Sequence, residues 1–104
     1  MVKRRVVVRN RAGLHTRPSA ILVKSASGFE AEFFIDKDGF EVNGKSIIGV
    51  MTLAAEPESV LILSFEGKDE VVAADAICAL FEDGFGEELL PPKPLQTAPL
   101  KPIS

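Results

Sequence analysis

His15 is the only histidine among 104 residues, and it lies in the run Gly13-Leu14-His15-Thr16-Arg17-Pro18-Ser19-Ala20. Imidazole is largely neutral and nucleophilic near neutral pH, with an ordinary pKa of about 6.5. Two residues on, Arg17 offers a planar cationic fork that matches phosphate oxygens. Pro18 is tolerated in a first helical turn, where its missing N–H has no partner to lose. A helix starting just after His15 leaves the amides of Thr16 and Arg17 pointing outward, and such amides form an anion site. A nucleophilic nitrogen, a guanidinium and a helix N-terminus at one point suit a phosphoryl group that is taken, held and handed on. A lone histidine in a loop is more often a solvated or capping residue; the neighbours raise the chemical reading here.

The elements that must position this run follow from periodicity. Residues 2–9 read as a strand with Val6 and Val8 on one face. Residues 16–27 read as a helix stopped by Gly28, with apolar positions spread widely enough to predict burial over much of its surface. From Phe29 to Lys37, Phe29, Ala31, Phe33 and Ile35 alternate with Glu30, Glu32 and Asp36, while Phe34 interrupts the polar face. Asp38-Gly39 signals a hairpin to a strand at 40–42. Ser46 offers an N-cap to a short helix ending near Ala55, before Pro57. Residues 60–66 form a fourth strand with Leu61, Leu63 and Phe65 inward. A last helix over 70–83 places Val72, Ala73, Ala76, Ile77, Leu80 and Phe81 on one stripe. The order is βαββαβα, an α+β domain with helices on one face of an antiparallel sheet.

Composition sets bounds. The length suits one domain with a modest core, and 46% apolar residues argue for a globular chain. A formal net charge of −3 is no footprint of a nucleic-acid binder. Lys3, Arg4, Arg5, Arg9 and Arg11 are read as a solvated strand face. The single Cys78 cannot form an intrachain disulfide and is expected to be a buried structural thiol. No apolar run approaches the ~20 residues of a membrane span, and Val6-Val7-Val8 is too short for the core of a signal peptide. A cytoplasmic location is therefore expected. Residues 89–104, rich in proline, are expected to be a disordered tail after a domain spanning 1–88, and dispensable for folding.

The run from Gly13 to Pro18 resembles the active-site signature of HPr, the histidine-containing phosphocarrier family of the bacterial phosphoenolpyruvate-dependent sugar phosphotransferase system. A second segment, Asn43-Gly44-Lys45-Ser46-Ile47-Ile48-Gly49-Val50-Met51, resembles that family's regulatory serine motif at the expected separation. The resemblance covers residues 2–88. It implies an open-faced β-sandwich with a four-stranded antiparallel sheet and three helices. It also implies a carrier, not an enzyme, in which His15 takes a phosphoryl group on Nδ1 from phospho-enzyme I and gives it to IIA domains of sugar permeases. Arg17 would compensate the phosphoryl charge, and the Thr16 and Arg17 amides would bind its oxygens. Ser46 would be the target of an HPr kinase/phosphorylase. Arg17, Ala20, Ile47, Ile48 and Met51 would form the partner-binding surface. No cofactor, metal, nucleic-acid partner or membrane insertion is implied, and a monomer is expected.

Two residue-level points bear on these expectations. In the helix after Ser46, Ile47, Val50, Leu53 and Ala54 suffice to pack on a sheet, which leaves Ile48 and Met51 apolar on a neighbouring face. Around Glu56-Pro57-Glu58-Ser59 the family commonly has a glycine near Glu58, so a differently shaped turn is expected. Other readings compete with sugar transport: a phosphocarrier serving regulation alone, or a non-catalytic binding module such as an RNA-binding domain. The last lacks exposed aromatics on a basic sheet face, since Phe29 and Phe33 sit among acidic residues.

Overall fold

The computed structural model describes residues 1–89. Strand β1 (Val2–Val7) leads through a loop to α1 (Thr16–Ala26). The hairpin β2 (Glu32–Lys37) and β3 (Phe40–Asn43) follows, then α2 (Ile47–Leu53), β4 (Val60–Glu66) and α3 (Glu70–Glu82). A single 3-10 turn over Gly84–Gly86 closes the described chain. Asp38 and Gly39 both take positive φ, 53° and 88°, the backbone that a two-residue hairpin needs to match strand twist.

The sheet is antiparallel with strand order β1-β4-β2-β3. Alternation decides which side is covered. Val6, Leu61, Leu63, Phe65, Phe33 and Ile35 point inward and are buried, and the Phe33 and Phe65 rings stack at 4.7 Å. Leu22 and Ala26 of α1, Val50 and Leu53 of α2, and Ala73, Ala74, Ile77 and Phe81 of α3 complete this one core. The opposite face carries Lys3 and Arg5 into solvent, which leaves the sandwich open on that side.

Several expectations are corrected. Helix α1 buries one narrow stripe, Pro18 with Ser19, Leu22 and Ala26, and leaves Ala20 exposed. On α3, Val72 is exposed and Ala74 takes its place in the core, because only the 73/74/77/81 stripe faces the sheet. On α2 only Val50 and Leu53 are enclosed; Ile47 and Ala54 are exposed. Cys78 is half-buried rather than enclosed, next to Arg4, whose guanidinium bonds Asp75 at 3.0 Å. Burial pushes its thiol up, with Arg4 acting in the opposite direction. Asp69, the residue before α3, makes no capping bond and instead accepts from the backbone N–H groups of Glu30 and Ala31 at 2.9 and 2.8 Å.

The turn before β4 carries its own surprise. Glu58 sits at φ 72°, the left-handed region that favours glycine, so a glutamate is held in a glycine-type conformation. Its amide donates to the Val8 carbonyl at 2.8 Å, which fixes the turn against the end of β1. At the C-terminal side, Leu89 still pairs with Asn10 in an isolated bridge. The remainder of the expected proline-rich tail, residues 90–104, lies outside the described residues.

Candidate phosphoryl-acceptor site

The loop from Asn10 to His15 is fixed by backbone bonds at both ends. The Gly13 amide donates to the Asn10 carbonyl at 3.1 Å, and the Leu14 amide to Ala55, just past α2, at 2.9 Å. Gly13 needs to be glycine twice over. Its φ is +75°, and a Cβ there would lie 2.7 Å from the Ala55 carbonyl oxygen. Leu14 is buried, so the backbone enters α1 with His15 turned outward.

His15 is the N-cap residue of α1, with extended backbone (φ −84°, ψ −166°) and no capping bond from its ring. Its own amide donates to the Gly13 carbonyl at 3.0 Å, and its carbonyl accepts the first helical bond, from Ser19, at 3.0 Å. Pro18 has no N–H. Of the first-turn donors, the Thr16 and Arg17 amides are therefore left free of intrahelical acceptors. Helix and loop together present two backbone donors, a partly exposed imidazole and the exposed Arg17 at one corner.

Two residues that sequence reasoning missed complete this corner. The Nε2 atom of His15 lies 3.1 Å from Oε1 of Glu87, 72 positions away. The same oxygen accepts from Nδ2 of Asn10 at 3.0 Å, and Nδ2 also donates to the Gly13 carbonyl at 2.7 Å. Arg11 and Glu88 reinforce the join, with the Arg11 amide on the Glu88 carbonyl and its guanidinium on the carboxylate, both at 2.9 Å. Burial pushes the Glu87 carboxyl up, but the hydrogen bonds from Asn10 and His15 and the charge of Arg17 outweigh it, so it lies below its ordinary value. Glu87 is thus ionised at neutral pH and can only accept.

The second motif stands on α2. Ser46 caps that helix, its Oγ accepting from the Gly49 amide at 3.1 Å. Beyond it Ile47, Ile48 and Met51 are exposed, Ile48 to 76%. Helices α1 and α2 lie in contact, and Arg17 and Ala20 on α1 are exposed as well. A neighbouring apolar patch of this kind is a feature of docking surfaces.

Residues 2–83 match the family model described as the PTS HPr component phosphorylation site. The chain is 49% identical over 88 residues to the phosphocarrier protein HPr of Treponema pallidum, covering 85% of this chain and all of that one. It is 45% identical over 82 residues to the HPr-like protein Crh of Halalkalibacterium halodurans, covering 79% and 98%. Among solved structures, HPr from Thermoanaerobacter tengcongensis superposes with a TM-score of 0.83 at 43% identity, covering 86% of this chain and all of that one. These matches place the chain in a class of phosphocarriers, proteins that hold a group between partners and are not themselves catalysts. The chain belongs to the HPr family of the phosphotransferase system. No helix among the described residues is long and apolar enough to cross a membrane.

Proposed function

We propose that His15 accepts a phosphoryl group from phospho-enzyme I and passes it to IIA domains of sugar permeases in the cytoplasm. The observation that carries this reading is the cap position of His15: an imidazole with no capping duty, beside two free amides and Arg17. The amides of Thr16 and Arg17 bind phosphoryl oxygens, and the Arg17 guanidinium compensates their charge. Ala20, Ile47, Ile48 and Met51, with Arg17, form the surface on which enzyme I and the IIA domains dock. The transfer function resides in residues 1–88, and the proline-rich tail is not needed for it.

Ser46 is the regulatory site of the same proposal, modified by an HPr kinase/phosphorylase. A phosphate on Oγ adds close to two negative charges at a helix N-terminus, where the helix tolerates them, beside the apolar docking residues. The similarity to an HPr-like Crh protein supports a second reading, in which the carrier serves regulation without sugar transport. One experiment bears on the transfer claim. Incubation with enzyme I and phosphoenolpyruvate adds one acid-labile, alkali-stable phosphate to the wild-type chain and none to His15→Ala. Uptake by His15→Ala at the wild-type level refutes it.

A further inference from the structure

Asn10 is fully buried, and its Oδ1 is a buried side-chain oxygen without a hydrogen-bond partner among the described residues. Leaving such an atom unpaired costs about 1–3 kcal/mol. The amide cannot be turned round to relieve it, because Oδ1 would then face the Gly13 carbonyl and the Glu87 carboxylate, both acceptors. What the arrangement provides is a clamp. One NH2 group holds the loop that carries His15 and, at the same time, the carboxylate that touches its ring.

That carboxylate bears on which ring nitrogen reacts. The two imidazole nitrogens are distinct, and the hydrogen bond made by one decides the protonation of the other. An ionised Glu87 accepts only, so Nε2 must donate, and the lone pair of the neutral ring is left on Nδ1. We propose that Glu87, clamped by Asn10, keeps the proton on Nε2 of His15 throughout the transfer cycle. It thereby directs the phosphoryl group to Nδ1 and keeps the phosphorylated ring cationic and labile. The inference rests on His15 being the acceptor and adds the residues that tune it.

The electron and proton count closes without any other reactant. The Nδ1 lone pair attacks the phosphorus carried by phospho-enzyme I. An N–P bond forms, and the pair of the breaking bond returns to the donor. The ring gains a positive charge that the adjacent carboxylate neutralises, and the Nε2 proton stays where it was. On delivery the N–P pair returns to Nδ1, and neutral imidazole leaves. Loss of the Nε2 proton in between would force imidazolate to leave instead, a far poorer leaving group. Nδ1 and Nε2 lie across the ring from each other, so the phosphoryl oxygens and the carboxylate do not collide. Asn10 is a positioning residue here; Glu87 touches the reacting ring. The charged groups around the loop are Glu87, Arg17 on the first turn of α1, the Arg11–Glu88 pair, and Glu56, whose backbone lies beside Gly13. Of these carboxylates, Glu87 is the one bonded to the ring.

The test is 15N and 31P NMR of the full chain, free and after phosphorylation by enzyme I and phosphoenolpyruvate, titrated from acid to alkaline pH. Wild type, Glu87→Gln, Glu87→Asp and Asn10→Ser are compared. The expected wild-type result is a neutral ring protonated on Nε2, phosphorus on Nδ1, and a phosphorylated ring that keeps its Nε2 proton past neutrality. In Glu87→Gln the pH midpoint for loss of that proton falls by about 0.5–1 pH unit, and dephosphorylation above the midpoint slows severalfold. Glu87→Asp retains the charge at shorter reach and falls between the two, and so does Asn10→Ser. Identical midpoints and tautomers in wild type and both Glu87 variants overturn this inference alone. A wild-type chain that takes no phosphate on His15 overturns it together with the function proposed above.

Discussion

The starts of α1 and α2 are the same kind of structure put to opposite ends. At α2 the Ser46 hydroxyl accepts from the Gly49 amide, and the exposed donors of the first turn are partly satisfied from within. At α1 the cap residue is His15, whose ring makes no such bond and turns instead to Glu87. Pro18 removes one further amide, leaving those of Thr16 and Arg17 for something outside the chain. A helix start that satisfies itself contributes stability, whereas one left open keeps backbone donors free for an anion, which is the role proposed above for the start of α1. The loop that precedes α1 is held instead by the backbone bonds of Gly13 and Leu14 and by the Asn10 side-chain amide.

The contrast can be broken or sharpened by substitution. At α1, Arg17→Glu places a like charge against the incoming phosphoryl group and is expected to slow transfer by about 100-fold or more, given the strength of charge-assisted bonds. Arg17→Lys keeps the charge but loses the fork and should cost about 3–10-fold. Steady-state phosphorylation by enzyme I measures both, and a melting curve near wild type confirms that folding is spared. At α2, Ser46→Ala is expected to cost about 1 kcal/mol of stability, a fall of a few degrees in Tm, with phosphorylation on His15 retained. Ser46→Asp keeps a good cap and should melt near wild type, yet accept phosphate from enzyme I more slowly because its charge stands beside Ile47 and Ile48.

A smaller effect concerns acid stability. The backbone N–H of Glu30, with that of Ala31, holds the Asp69 carboxyl below its ordinary value of 3.8. A carboxyl lowered in the folded state binds its proton more readily when unfolded. Its stabilisation is therefore complete above the unfolded value and lost as pH falls through the lower folded one. Asp69→Asn should flatten the decline of Tm between about pH 5 and pH 2, and an unchanged acid limb would contradict that role. The smallest change expected is a gain. Glu58→Gly relieves a left-handed backbone but loosens the unfolded chain, for a net stabilisation below about 1 kcal/mol.

Local signals carried most of the architecture. The limits of β4 coincide with its alternation, Asp38-Gly39 makes the hairpin it announces, and α1 begins at Thr16, which keeps Pro18 in its first turn. What stayed hidden depends on contacts between distant segments. Glu87 meets His15 only after the 3-10 turn at Gly84–Gly86, with Phe85 at φ 57°, brings the end of the chain back to the loop before α1. The adjacent acids Glu87-Glu88, opposite Asn10 and Arg11, were the available hint, but nothing in periodicity pairs them. Val72 shows the same limit: its spacing fits an apolar stripe, while the tilt of α3 on the sheet decides which stripe is buried. Glu58 shows the converse, since tertiary context imposes a glycine-type turn on a glutamate.

The two helix starts are separated most directly by treating His15→Ala and Ser46→Ala in parallel with enzyme I and phosphoenolpyruvate, with intact mass and a thermal melt recorded for each. His15→Ala is expected to gain no mass and to melt close to wild type, since its ring caps nothing and loses only a partly exposed bond to Glu87. Ser46→Ala gains one phosphate, 80 Da by mass, and melts several degrees lower. A phosphorylated His15→Ala, or a Ser46→Ala chain that melts normally but cannot be phosphorylated, would contradict this contrast.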